Sequence, residues 1–193
     1  LSPHSFADIA KAVGISDYQL RYYPAYKAIM DCVVGGWMLP MTDASEREME
    51  IFVELMRDPV AGNMVRTLFL NRQKAAKAGL LAPTSPFATG DGALLPVVKA
   101  AHGKAKAAAL NEDQLLLASA LAALRVWEAG KIEQPELADV AVVSAGLFPS
   151  YAGGPFTYLR QRGAARLREQ AQKATPAHAE LFAVPGALDR FLA

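Results

Sequence analysis

Asn111-Glu112-Asp113-Gln114-Leu115-Leu116-Leu117-Ala118-Ser119-Ala120-Leu121-Ala122-Ala123-Leu124-Arg125-Val126-Trp127-Glu128-Ala129-Gly130 is the stretch on which the fold turns. Asn111 followed three residues later by Gln114 has the spacing of a helix-opening capping box, and Gly130 suits the residue just past a helix end. Between them Leu116, Ala120, Ala123 and Trp127 lie on one stripe, so the spacing predicts a long helix from Glu112 to Ala129. The apolar run Leu115 to Leu124 is closed by Arg125 and falls short of the ~20 residues that span a bilayer.

The same period recurs on both sides. Met49, Phe52, Val53 and Met56 stand at i, i+3, i+4 and i+7, with Glu46, Arg47, Glu48, Glu50 and Glu54 mostly on the other faces. Asp43-Ala44-Ser45-Glu46 has capping-box spacing and predicts the start of this helix. Asp58-Pro59 predicts the next start, proline being harmless at a first helical position. That helix is expected to turn Met64, Leu68 and Phe69 inward and to end on Arg72, Lys74 and Lys77 before Gly79, where cations complement the helix dipole.

Leu80 to Gly92 is rich in proline and glycine and reads as a non-helical connection. It divides the chain into residues 1–79 and 80–193. Beyond it come an alanine-rich helix around Leu95 to Leu110, the long helix, a short one from Pro135 to Ser144, a compact loop from Gly146 to Pro155, and two or three further helices. No run alternates like a strand, and no period of 20 to 50 residues recurs, so the expected class is all-α and not a solenoid.

Composition narrows the function. The chain has 193 residues, 52% of them hydrophobic and 20% charged, which excludes a disordered protein. Twenty Lys plus Arg oppose 19 Asp plus Glu, and a net charge of +1 supplies no field for a nucleic acid. The single cysteine, Cys32, cannot close an internal disulfide, and its apolar neighbours suggest a buried, inert thiol in a reducing compartment. The expected location is cytoplasmic: Leu1 to Phe6 has neither the basic nor the apolar region of a signal peptide. A start at Leu1 rather than methionine suggests a processed protein or part of a longer one.

Candidate sites are few. Ile9 to Ser16 followed by Gln19 to Tyr23 reads as helix, turn, helix, with glycine at the turn and Ser16 as cap. A DNA-binding use is opposed by charge, because Lys11, Arg21 and Lys27 face Asp8, Asp17 and Asp31. Gly35-Gly36, Gly90-Asp91-Gly92 and Gly153-Gly154 match neither nucleotide fingerprint. His4, His102 and His178 are scattered and read as surface residues, while Glu46/Glu50 and Glu133/Glu136 read as solvated helix faces. No metal site is expected.

The unusual segment is Gly146-Leu147-Phe148-Pro149-Ser150-Tyr151-Ala152-Gly153-Gly154-Pro155-Phe156. Its prolines and glycines demand a specific tight path. It reads as a rigid corner between helices. Alternatively it borders a ligand or partner domain, through Gly146, Phe148, Pro149, Tyr151, Gly153, Gly154, Pro155, Phe156 and the following Arg160.

At this loop the chain resembles a known family. Glu128-Ala129-Gly130, then Pro135-Glu136-Leu137-Ala138-Asp139, then Gly146-Leu147-Phe148-Pro149 through Gly153-Gly154-Pro155-Phe156 is similar to the C-terminal helical domain of 3-hydroxyacyl-CoA dehydrogenases. The likeness extends to the final copy of that domain in the multifunctional enoyl-CoA hydratase/3-hydroxyacyl-CoA dehydrogenases of fatty-acid β-oxidation, and Pro176 to Ala193 resembles its end. Tyr23-Pro24-Ala25-Tyr26-Lys27, Gly35-Gly36, Glu46-Arg47-Glu48, Phe52 to Met56 and Leu68-Phe69-Leu70 resemble the linker helices that follow the hydratase domain.

The resemblance implies a linker-like segment, 1–79, packed on a helical domain, 80–193, related to the C-terminal domains of 6-phosphogluconate and 3-hydroxyacyl-CoA dehydrogenases. It also implies what is missing, since the family's NAD-binding Rossmann portion and its crotonase portion carry the catalytic residues. The chain is therefore expected to carry no catalytic residue and no cofactor of its own, NAD and a CoA thioester belonging to the parent enzymes. Its expected role is a domain-assembly piece, with the remaining domains or subunits of such an enzyme as partners and a homo-oligomer possible. Alternatives are an acyl-CoA-binding module, using Phe148, Tyr151 and Phe156 with Arg160 and Arg162 toward the CoA phosphates, and the helix-turn-helix regulator.

Overall fold

The computed structural model describes residues 6–193, and every regular element among them is helical. The expectation of an all-α protein holds. His4 and the segment read against a signal peptide lie largely outside the described residues. The chain divides into two compact units, Leu1–Gly62 and Asn63–Ala193.

In the first unit α1 (Phe6–Ala12) and α2 (Asp17–Tyr22) meet at a turn where Gly14 takes φ +76°. Ser16 opens α2 through a complete capping box. Its hydroxyl accepts the Gln19 N–H at 3.3 Å, and the Gln19 side chain accepts the Ser16 N–H at 2.9 Å. α3 (Pro24–Gly36) starts on a proline, and α4 (Met41–Arg57) follows Trp37 to Pro40. These two helices form an antiparallel pair. Its close approach is made by small residues, because a Cβ on Gly35 would lie 2.5 Å from the Arg47 guanidinium and one on Gly36 would lie 3.9 Å from Ala44. α4 begins at Met41 instead of at the box expected around Asp43, and no side chain caps it. Pro40, with φ fixed at −54°, starts the helix earlier and places Asp43 inside the first turn.

Packing by small residues leaves little core. Among the described residues of this unit only Ala10 and Met30 are buried apolar side chains. Ile29, Val33 and Trp37, spaced i, i+4, i+8 on α3 and its end, are exposed, Trp37 by 75%. On α4, Met49, Phe52, Val53 and Met56 are exposed as well.

The second unit is built around α8 (Glu112–Glu128), whose residues Leu116 to Leu124 are all buried. A helix apolar on every side needs neighbours on every side. α7 (Leu94–Ala107), α10 (Pro155–Arg162) and α11 (Ala164–Phe182) pack against it. Its predicted ends are the observed ones: Asn111 accepts the Gln114 N–H at 3.0 Å, Gln114 returns the bond to the Asn111 N–H at 3.2 Å, and Gly130 takes φ +74°. Arg125 donates from α8 to the carbonyls of Glu180 (3.1 Å) and Ala183 (2.7 Å), satisfying groups that the end of α11 leaves unpaired. α9 (Pro135–Ser144) and α12 (Leu188–Leu192) complete the core, with Trp127 edge-on and Phe156 tilted against Phe191.

The division lies before Asn63 and not at Gly79. α5 (Pro59–Met64) opens as expected, with Asp58 accepting the Val60 N–H at 2.8 Å. It runs into a π-helical stretch, Val65–Asn71, and then α6 (Arg72–Lys77). The inward residues of this run are Asn63, Thr67 and Ala75, while Met64 and Leu68 are half-buried and Phe69 is 64% exposed. The expected inward face of Met64, Leu68 and Phe69 is thus replaced by a polar one. Within the second unit, Asn63 and Thr67 donate to the Tyr151 and Gly153 carbonyls of the corner. Leu80 and Leu81, in the turns after α6, pack with Ala75, Leu137 and Val140.

Candidate functional site

The corner from Gly146 to Phe156 is assembled from three elements, and its centre is a residue that composition alone does not single out. α10 begins at Pro155 with Gly154 as the preceding residue, so the cap position carries no side chain. The missing acceptor comes from α9. The Phe156 N–H donates to Oδ1 of Asp139 at 2.7 Å, and the Thr157 N–H and hydroxyl donate to Oδ2 at 2.9 and 2.7 Å. Asp139 acts as the N-cap of a helix that begins sixteen positions further along the chain, satisfying two of its free amides.

The two glycines make room for this. A Cβ on Gly154 (φ +109°) would lie 2.5 Å from the Asp139 Cβ, and one on Gly153 (φ +77°) would lie 2.8 Å from the Thr157 methyl group. Both backbone angles belong to the region that side chains disfavour. On the far side Thr67 Oγ1 donates to the Gly153 carbonyl at 2.8 Å. Asn63 Nδ2 donates to the Tyr151 carbonyl at 3.0 Å and to Gln161 Oε1 at 3.3 Å, while Gln161 Nε2 donates to Asn63 Oδ1 at 2.7 Å. The loop is clamped between α9 and the α5–π run.

Asp139 is 1% exposed. Burial pushes its carboxyl up to about 7, against the downward pull of the Thr157 and Phe156 hydrogen bonds and of Arg160. Such a group is a natural candidate for acid–base chemistry. Here both of its oxygens are already engaged by α10, and its surroundings are packed backbone and side chain. The arrangement orders a helix start.

The other residues named from the sequence take the following places. Phe148, Pro155 and Phe156 are buried, with Phe148 edge-on to Tyr158 at 5.7 Å. Tyr151 is half-buried and donates to Glu112 at 3.3 Å. Gly146 is exposed at the end of α9 with φ +69°, and Pro149 is half-buried before the short 3-10 turn Ser150–Ala152. Arg160 is exposed, with its guanidinium 4.9 Å from the Phe191 ring centre. Arg162 lies over Tyr158 at 4.7 Å and pairs with Asp113 at 3.0 Å. The aromatic groups of the corner are therefore core, and both arginines are engaged with their own unit.

Elsewhere the geometry is equally plain. Cys32, expected to be buried, is half-buried. His102 is half-buried and held below the usual histidine range by its burial and by Lys106, while His178 sits at a kink in α11 with φ −142°. Among the described residues no three His, Cys, Asp or Glu side chains converge in a way that could hold a metal. No helix of the described residues is long and apolar enough to cross a membrane. The α1–α2 pair does form a helix, a turn and a capped second helix, with the Arg21 guanidinium over its neighbour Tyr22.

Asn63, Thr67 and Asp139 are the organising residues that sequence reasoning missed. One signal was present: a helix opening on Gly-Gly-Pro has no cap of its own, so an acceptor must come from elsewhere. No family model, curated protein or solved structure matches the chain.

Proposed function

We propose that this chain is a helical assembly module of a bifunctional enoyl-CoA hydratase/3-hydroxyacyl-CoA dehydrogenase, without catalytic residues of its own. In this reading the second unit corresponds to the final C-terminal helical domain of such enzymes, and the first to their linker helices. The observation that carries it is the contrast between the units. The second has a continuous core around α8 and a corner fully occupied by its own hydrogen bonds. Among its described residues the first has two buried apolar side chains and an exposed apolar stripe, Ile29, Val33 and Trp37. A unit of about sixty residues with so small a core needs a covering surface to be stable. The remaining domains or subunits of the enzyme would supply it for α3.

The test is direct. Calorimetric titration with NAD and CoA thioesters, and turnover of acetoacetyl-CoA with NADH, are expected to give neither binding nor activity for the chain alone. Saturable NAD binding with turnover would overturn the reading.

A further inference from the structure

We propose that α4 is a self-docking face, through which two copies of this chain associate with their α4 helices antiparallel and Phe52 of each packed on Val53 of the other. The inference concerns the other side of the α3–α4 pair and stands apart from the assembly reading above. Met49, Phe52, Val53 and Met56 are 61%, 53%, 39% and 54% exposed, and together they form one stripe along the helix. Ala44, Ile51 and Leu55, the less exposed residues of α4, lie on the opposite side, where Ala44 meets Gly36. The stripe is therefore surplus to the packing of α3 on α4.

Its sequence says what fits it. Met49-x-x-Phe52-Val53-x-x-Met56 reads nearly the same in both directions. A two-fold axis through the midpoint of Phe52 and Val53 sets Met49 opposite Met56 and Phe52 opposite Val53, an isologous contact in which one patch is its own complement. Charge follows the same axis. Glu46, Glu50 and Arg57 border the stripe on one flank, and in an antiparallel pair like flanks face each other. The axis brings Arg57 of one copy midway between the levels of Glu46 and Glu50 of the other, about 3 Å along the helix from each. None of the three belongs to an ion pair among the described residues. A parallel pair would instead set this flank against the opposite one, where Arg57 meets neither Glu46 nor Glu50. One helix pair buries less than the roughly 800 Å² per partner of a standard interface, so the dimer should be weak, roughly micromolar.

Sedimentation equilibrium of the full chain should show a concentration-dependent monomer–dimer equilibrium. Arg57→Glu, which sets carboxylates against carboxylates on an exposed surface, should weaken it by roughly tenfold without loss of helicity. Val33→Asp, on α3, should leave it unchanged. In a Cys32→Ser background, a short bismaleimide should join Met49→Cys protein to Met56→Cys protein when the two are mixed, and join neither to itself. Cross-linking within either single variant, or a monomer at every concentration with the stripe bare or taken by another protein, would overturn the proposal.

Discussion

Asp139 and Gly154 approach so closely that a single methyl group on the glycine would lie 2.5 Å from the aspartate Cβ. The contact fuses two helices that are separate in sequence, because the carboxylate that Gly154 admits is the cap of α10. It also explains why a segment of unusual composition is a structural joint: the glycines remove bulk where α9 must deliver a side chain.

Gly154→Ala should therefore act on the fold of the second unit. The substitution combines a φ of +109° with overpacking against Asp139. Each effect costs about 1–3 kcal/mol, for a total of about 2–6 kcal/mol. Thermal unfolding followed by circular dichroism should show the midpoint lowered by roughly 4–24 °C. Thr67→Val, which leaves the buried Gly153 carbonyl without its donor, should cost about 1–3 kcal/mol in the same measurement.

The Asp139 carboxyl titrates near 7 in the folded chain and near 3.8 when unfolded. The folded state then binds the extra proton between those values, so this group's contribution to stability falls as pH rises from about 4 to about 7. His102, held below its ordinary value by burial and by Lys106, works in the opposite sense at pH just below that ordinary value. The comparison to make is the difference in denaturant midpoint between the wild type and Asp139→Asn. The wild type should lose stability relative to the variant as pH is raised from 5 to 8. A wild type that gains on the variant over that range would contradict the burial argument.

Ser119, fully buried in α8, has a hydroxyl with no hydrogen-bond partner among the described residues. Removing an unpartnered buried hydroxyl relieves its desolvation cost, and alanine is the better helix former. Ser119→Ala is expected to be stabilising by about 1 kcal/mol in chemical denaturation.

Local signals in the sequence were faithful at α2 and α8, though not at α4, where the box expected around Asp43 does not form. Ser16 caps α2, Asn111 with Gln114 closes the box its spacing predicts, and Gly130 ends α8. What spacing could not convey is what each stripe meets. The period of Met49, Phe52, Val53 and Met56 is that of a helix face, and the face is exposed. The run after Asp58 has apolar residues at helical spacing, yet Asn63 and Thr67 are the buried ones, because their partners are Tyr151 and Gly153, 88 and 86 positions away. The joint at Asp139 was hidden for the same reason. Its meaning lies in the amides it reaches on another helix, and a local pattern contains no such partner.

Under the proposed function, the α3 stripe docks on the other domains of a fatty-acid oxidation enzyme. Trp37 reports on it directly, being 75% exposed and one of two tryptophans in the chain. With Trp127→Phe as background, its fluorescence can be followed while the chain is titrated with the hydratase and Rossmann portions of such an enzyme, prepared without linker and final helical domain. A saturable blue shift is expected as Trp37 leaves water, abolished by Val33→Asp. Emission that stays at the solvent-exposed position throughout the titration would contradict it.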